Sequence, residues 1–310
     1  MTARALTRLA AAALRRLVPV LAAISILVFS IVHLIPGDPA VIAAGLEASP
    51  ATVEAIRRDL GLDRPLAMQY ARFVSRAVVG DFGVSVRTGA PVGREILDRL
   101  PHTAALAAGG VLLAVLLGMM AGAAAALSSR VVVDRLLSAT SLVAASTPSY
   151  WLALMLMLLF SLHLGWLPAI GVGSWRHYLL PCLALGLQSA GAVARMTRAS
   201  VREVLTRDFL RAARAKGVPE IRVLLVHGLG NALLPVISLV GLRVGGLLAG
   251  TVLVESVFAV PGVGRMMADA VVARDFPVVQ GGVLVVAAMV VVVNGLTDLL
   301  AAGLDPRVRA

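Results

Sequence analysis

The 310-residue chain contains a single cysteine, Cys182, and a single lysine, Lys216. One cysteine excludes an intrachain disulfide and any cysteine-based metal cluster. A P-loop needs Gly before its lysine and Ser or Thr after it, so that backbone N–H groups and the ammonium hold phosphates. Here Ala215 precedes the lysine and Gly217 follows it, so any ATP must be hydrolysed by another polypeptide. The HExxH and GxSxG patterns are missing as well, which removes the usual footholds for a membrane hydrolase. The histidines (33, 102, 163, 177 and 227) are scattered without an i,i+4 pair or a Cys/His cluster, so no metal site is expected.

Apolar residues are what the chain has in excess. It is 59% hydrophobic with a mean hydropathy of +0.92, where soluble chains run about 45–50% apolar even with Gly counted. Six stretches approach the roughly 20 residues needed to span a bilayer: about 14–35, 104–127, 136–160, 178–200, 231–254 and 280–302. The expected fold class is an all-α integral membrane protein with six transmembrane helices. The organisation read from it is a cytoplasmic N-terminus at 1–13 and a first span at 14–35. An extracytoplasmic segment at 36–103 follows, then a five-span core at 104–302 with a basic loop at 201–230, and a cytoplasmic C-terminus at 303–310. The first stretch also has the look of a secretory signal, with Arg4, Arg8, Arg15 and Arg16 ahead of it. Its apolar run from Leu17 to Ile35 exceeds a signal core, and no small-residue cleavage site follows, so it reads as a retained span.

A net charge of +11 raises the question of nucleic acid, and the distribution of charge answers it. With the N-terminus inside, the inner segments hold the four N-terminal arginines, then Arg130 and Arg135, and finally Arg307 and Arg309. Between these, residues 195–227 hold eight basic residues against three acids. The short outer loops hold only Arg176 in one and Arg265 and Arg274 in the other. The long 36–102 segment is balanced, with eight arginines against eight acids. The excess is a positive-inside signature, and no nucleic-acid partner is needed.

Several positions stand out within this frame. Ser49-Pro50 reads as a helix start and Gly61 as its stop, in the extracytoplasmic segment. Pro148 lies about half-way through the third span, where it removes a backbone hydrogen bond and kinks the helix. The kink is either a packing feature or a hinge that lines a cavity. Arg243 lies near mid-depth of the fifth span, where a charge is costly, and it either pairs structurally or lines a pathway. Glu255 and Ser256, at the outer end of that span, read as part of an external rim or as a helix cap.

The basic segment has its own pattern, Arg211-Ala212-Ala213-Arg214-Ala215-Lys216-Gly217. It suits a short helix with Phe209 and Ala213 on one side and a left-handed stop at Gly217. Small residues there let a partner's backbone approach closely. The alternative is a basic amphipathic helix on anionic lipid.

The wider context resembles one family. Leu34-Ile35-Pro36-Gly37-Asp38-Pro39, Gly80-Asp81-Phe82-Gly83, the Ala-Ala-xxx-Gly loop, Glu255-Ser256-Val257-Phe258, Pro261-Gly262-Val263-Gly264-Arg265 and Arg274-Asp275-Phe276-Pro277 follow in order across nearly the whole chain. Their joint spacing resembles the first permease subunit of the dipeptide, oligopeptide and nickel importers of the ATP-binding-cassette class. The resemblance implies a translocation path for di- or oligopeptides, or alternatively nickel or glutathione. It implies a second homologous permease, two ATPase subunits that bind the ATP and Mg, and an extracytoplasmic binding protein, with no cofactor on this chain. Phe209, Arg211, Ala212, Ala213, Lys216 and Gly217 would form the ATPase-coupling helix, while Pro148 and Arg243, from their own chemistry, are candidates to line the path. The family loop often carries Glu where Arg211 stands, which changes any polar contact there. An ATP-independent secondary carrier is the alternative of a different class, and it predicts an internal inverted repeat that the sequence does not display.

Overall fold

The computed structural model describes residues 3–34, 38–45, 48–128, 130–208, 215, 217, 219 and 230–304. Among these, all regular structure is helical apart from an isolated antiparallel bridge between Val84 and Pro91. The order is α1 (Ala3–Leu34), α2 (Pro39–Ala44), α3 (Pro50–Leu60), α4 (Leu66–Val78), α5 (Val92–Leu127), α6 (Val131–Ser146) and α7 (Ser149–Leu156). There follow a π-helical turn (Met157–His163), α8 (Arg176–Leu205), α9 (Gly230–Val257), α10 (Val263–Val272) and α11 (Phe276–Leu304).

Four helices are long and apolar enough to cross a membrane: α5, α8, α9 from Pro235, and α11 as far as Thr297. A fifth candidate is the pair Asp134–Ser146 and Ser149–His163, bent by 106° at its break. The apolar stretch of α1, Val18–Leu34, is shorter, and the side chains before it lie outside the described residues. Where the sequence suggested six spans, the described residues therefore show four straight candidates and one broken one.

The break is sharper than the kink expected of Pro148, for a local reason. Proline lacks an N–H and disfavours helical geometry at the residue before it. Thr147 accordingly sits extended at φ −85°, ψ 127°, and Pro148 follows at φ −61°, ψ 141°. Two extended residues in succession end one helix and aim the next elsewhere. α7 restarts with Leu152 N donating to Pro148 O at 3.1 Å.

α8 is the central helix: 67% of its most apolar window is buried, against 22% for α5 and 33% for α9. Lipid gives no hydrophobic drive for helices to associate, so close packing of small residues has to do it. α5 turns Gly110, Ala114, Gly118, Gly122 and Ala125 towards α8 at near-four-residue spacing. A Cβ on Gly118 would stand 2.6 Å from Val193 Cβ, and one on Gly122 would stand 2.4 Å from the Ala194 carbonyl oxygen. α6 meets α8 in the same way, since a Cβ on Gly191 would lie 2.1 Å from Ser141 O. Arg195 Nη1 then donates to that carbonyl at 3.1 Å.

The segment between α1 and α5 is held by caps. Ser49 Oγ accepts from Thr52 N at 3.2 Å to begin α3, and Gly61 ends it in the left-handed region at φ 71°, ψ 27°.

Candidate translocation and coupling site

α8 carries the chain into the basic segment. Phe209, Arg211, Ala212, Ala213 and Lys216 lie outside the described residues. Gly217 is described and has φ +74°, the left-handed geometry that suits glycine. No atom of the described residues lies within 4 Å of where its Cβ would stand.

Immediately before this segment, α8 is tied to its neighbours by charge. Arg198 donates to Asp134 of α6 from Nε at 2.6 Å and from Nη2 at 2.7 Å, while Arg202 Nη2 lies 3.0 Å from the same carboxylate. Arg202 also reaches Ala125 O, the last turn of α5, at 3.4 Å. Sequence reasoning missed Asp134. Its signal was an acid at the start of a helix, facing the most basic stretch of the chain.

Arg243 is exposed on α9 and makes no hydrogen bond or ion pair with the described residues. It flanks an uncovered stripe made of Leu242, Gly246, Ala249, Leu253 and Ser256. Pro148 is exposed too, and Ser149 Oγ lies 3.5 Å from the Cβ position of Gly250. The restart of the broken helix is therefore beside α9, about 10 Å along its axis from Arg243. Pro148 and Arg243 are thus both exposed, but stand about two helical turns apart along α9.

The sequence left Glu255 as part of an outer rim or as a helix cap. It is fully buried, with 0% exposure. Thr103 Oγ1 donates to Oε1 at 2.7 Å and Arg265 N donates to Oε2 at 2.9 Å. Thr103 Oγ1 in turn accepts from Val263 N at 2.9 Å. The carboxyl group thus caps the N-terminus of α10, where N–H groups lack helical partners and the helix dipole favours negative charge. Gly262 and Gly264 make room for it: their Cβ atoms would lie 2.3 Å from Glu255 Cδ and 2.6 Å from Val252 Cα. Ser256 beside it is exposed and donates back to Val252 O at 2.9 Å. A second buried knot joins the same end of the bundle, where Asp275 accepts from Ser85 Oγ at 2.5 Å and from Arg87 N at 3.2 Å.

Comparison with known proteins places this geometry. The family described as binding-protein-dependent transport system inner membrane component matches residues 114–310, and its N-terminal companion matches residues 5–107. The glutathione transport system permease protein GsiC of Escherichia coli (strain K12) is 44% identical over 293 residues, which cover 94% of this chain and 96% of that protein. GsiC of Salmonella paratyphi A is 44% identical over the same length and coverage. Among solved structures, a chain of the MetNI methionine ABC transporter in inward-facing conformations aligns with a TM-score of 0.54 at 16% identity, covering 68% of this chain and 96% of that one. An amino acid ABC transporter crystallised with histidines aligns with a TM-score of 0.50 at 20% identity, covering 69% and 94%. At those identities the structural likeness speaks for the fold alone.

Proposed function

Because this chain belongs to the family of binding-protein-dependent inner-membrane transport components, and is a permease component of an ATP-binding-cassette importer, we propose that it carries short peptides, glutathione foremost. The observation that carries this reading is the 44% identity over 94% of the chain to permeases named for glutathione transport. Glutathione is itself a tripeptide with two carboxylates, so the peptide and glutathione expectations describe one chemical class. In this reading the chain pairs with a second, homologous permease across the open face of α9. A separate binding protein delivers cargo, and two ATPase subunits bind ATP and Mg and perform the hydrolysis.

The proposed topology has six spans, with α1 and the broken α6–α7 pair completing the set and both termini cytoplasmic. The positive-inside charge distribution supports it. The proposed coupling helix holds Phe209, Arg211, Ala212, Ala213, Lys216 and Gly217. Pro148 and Arg243 are proposed to line the path. A guanidinium held away from water at mid-depth attracts a peptide carboxylate, which suits an anionic cargo.

A pull-down of the tagged chain in detergent, comparing wild type with Gly217→Trp, tests the coupling assignment. Co-purification of an ATPase that is lost in the variant is the expected result. A well-folded chain that retains the ATPase equally in both forms, or binds none in either, overturns it.

A further inference from the structure

A cavity of about 510 Å³ lies where the end of α1, the start of α11, α4 and the Asp81–Val86 loop converge. Four phenylalanines stand in its wall among aliphatic and polar groups: Phe29 of α1, Phe73 of α4, Phe82 of the loop and Phe276 of α11. The polar groups around it are mostly occupied. His33 Nε2 meets Gln69 Oε1 at 3.1 Å, Gln280 Nε2 donates to Val28 O at 3.3 Å, and Arg76 is paired with Asp81 at 2.8 Å. Arg72 is the exception. It borders the cavity, is exposed, and forms no side-chain hydrogen bond or ion pair with the described residues.

The helix that carries Arg72 is amphipathic and unusual in its exposure. α4 has no buried residue. It leans on α1 by setting Tyr70 and Phe73 against Phe29, with ring centroids 5.4 and 5.9 Å apart, and by a 2.8 Å hydrogen bond between Tyr70 and Ser25. Leu66, Met68 and Val78 are left uncovered, Val78 being 81% exposed. A helix with arginines and uncovered apolar side chains, resting on the ends of apolar helices, suits the plane between headgroups and acyl chains. The cavity beneath it therefore opens at interfacial depth.

We propose that this cavity is a binding site for an anionic phospholipid, with its phosphate diester at Arg72 and the upper part of an acyl chain against Phe29, Phe73 and Phe276. An unpaired guanidinium recognises phosphate by parallel N–H donors, and the phenylalanines take the chain that a soluble anion lacks. A docked soluble protein would leave Leu66, Met68 and Val78 without their apolar surroundings, which is why lipid is the occupant favoured. The site is independent of which cargo the importer carries.

The test is native mass spectrometry of the full-length chain in detergent, titrated with phosphatidylglycerol, phosphatidylcholine or inorganic phosphate. Phosphatidylglycerol is expected to be retained in preference to phosphatidylcholine, and not to be displaced by millimolar phosphate. Loss of a charge-assisted contact should weaken retention about tenfold in Arg72→Gln. Arg72→Lys should keep part of it, and Arg135→Gln, at the opposite end of the bundle, should behave as wild type. Gel filtration of each variant checks that it is folded. Equal retention of the two lipids by wild type, undiminished retention by a folded Arg72→Gln, or displacement by phosphate overturns the proposal.

Discussion

Arg198 and Asp134 form a two-point ion pair, 2.6 Å at Nε and 2.7 Å at Nη2, that fastens the C-terminal end of α8 to α6. α8 runs directly into the proposed coupling helix, and α6 ends at the Thr147–Pro148 break. α6 is stapled to α8 a second time at Ser141, by Arg195. A displacement entering through the coupling helix would thus carry α6 with it and be taken up at the break. Asp134→Ala is expected to leave the subunits assembled but lower ligand uptake severalfold for each ATP hydrolysed. Uptake and hydrolysis measured together on reconstituted complexes decide it, and an unchanged ratio would dismiss the linkage.

Glu255 and Thr103 make a second, wholly buried junction. Thr103→Val keeps the shape but removes the hydroxyl that donates to Glu255 and accepts from Val263 N. The expected loss is about 1–3 kcal/mol, read by denaturant unfolding in detergent. Glu255→Gln should lose less than Glu255→Ala, because the amide oxygen can still accept from one backbone N–H. Equal stability of Thr103→Val and wild type would mean the hydroxyl contributes nothing.

These two junctions also mark how far the sequence could be read. Ser49 with Pro50, and Gly61, declare their roles because caps are made by residues a few positions apart. Thr103 and Glu255 are 152 residues apart, and Asp134 and Arg198 are 64 apart. Only the fold brings such pairs together, and no local pattern names the partner of either acid. Glu255 ends an apolar run, which left rim and helix cap both open, and the fold shows α10 turned back over it. Pro148 declared a kink, but the severity of the break depends on Thr147 also leaving the helical region. Family membership was legible because many short motifs recur in order along the chain.

The glycines divide into two kinds with opposite consequences. Gly191→Ala places a methyl 2.1 Å from a backbone oxygen that cannot step aside. A cost of about 1–3 kcal/mol is expected from the overpacking. Gly246 has no atom of the described residues within 4 Å of its Cβ position, so Gly246→Ala should not destabilise the isolated chain. Gly246→Trp should fold as well, yet lower co-purification of the second permease if α9 faces it. Thermal unfolding and co-purification, measured on the same preparations, separate the two effects.

Asp81 supplies a pH dependence. The Arg76 guanidinium, and then the Gly83 backbone N–H, hold its carboxyl below the usual carboxylate range. A depressed folded-state pKa adds stability that is present above the unfolded value of about 3.9 and is lost as pH falls through the folded value. The contribution is small because both side chains are about half exposed. Hydrogen exchange over residues 80–92 should rise as pH falls below about 4, after correction for intrinsic rates, and Asp81→Asn should remove the dependence. An identical profile in the variant would assign the acid sensitivity elsewhere.

Arg243 is where the cargo reading can be tested inside this chain. It is exposed at mid-depth of α9 and makes no hydrogen bond or ion pair with the described residues, so its removal should not unfold the subunit. If it draws a carboxylate through the path, Arg243→Gln should slow uptake of glutathione, with two carboxylates, more than that of an amidated dipeptide. The loss of one charge-assisted contact corresponds to about tenfold. Arg243→Lys, a point charge without the planar fork, should fall between the two. Equal slowing of both cargoes would instead mean that the arginine pairs with the neighbouring permease and holds the two subunits in register, which loss of co-purification in the same variant would confirm.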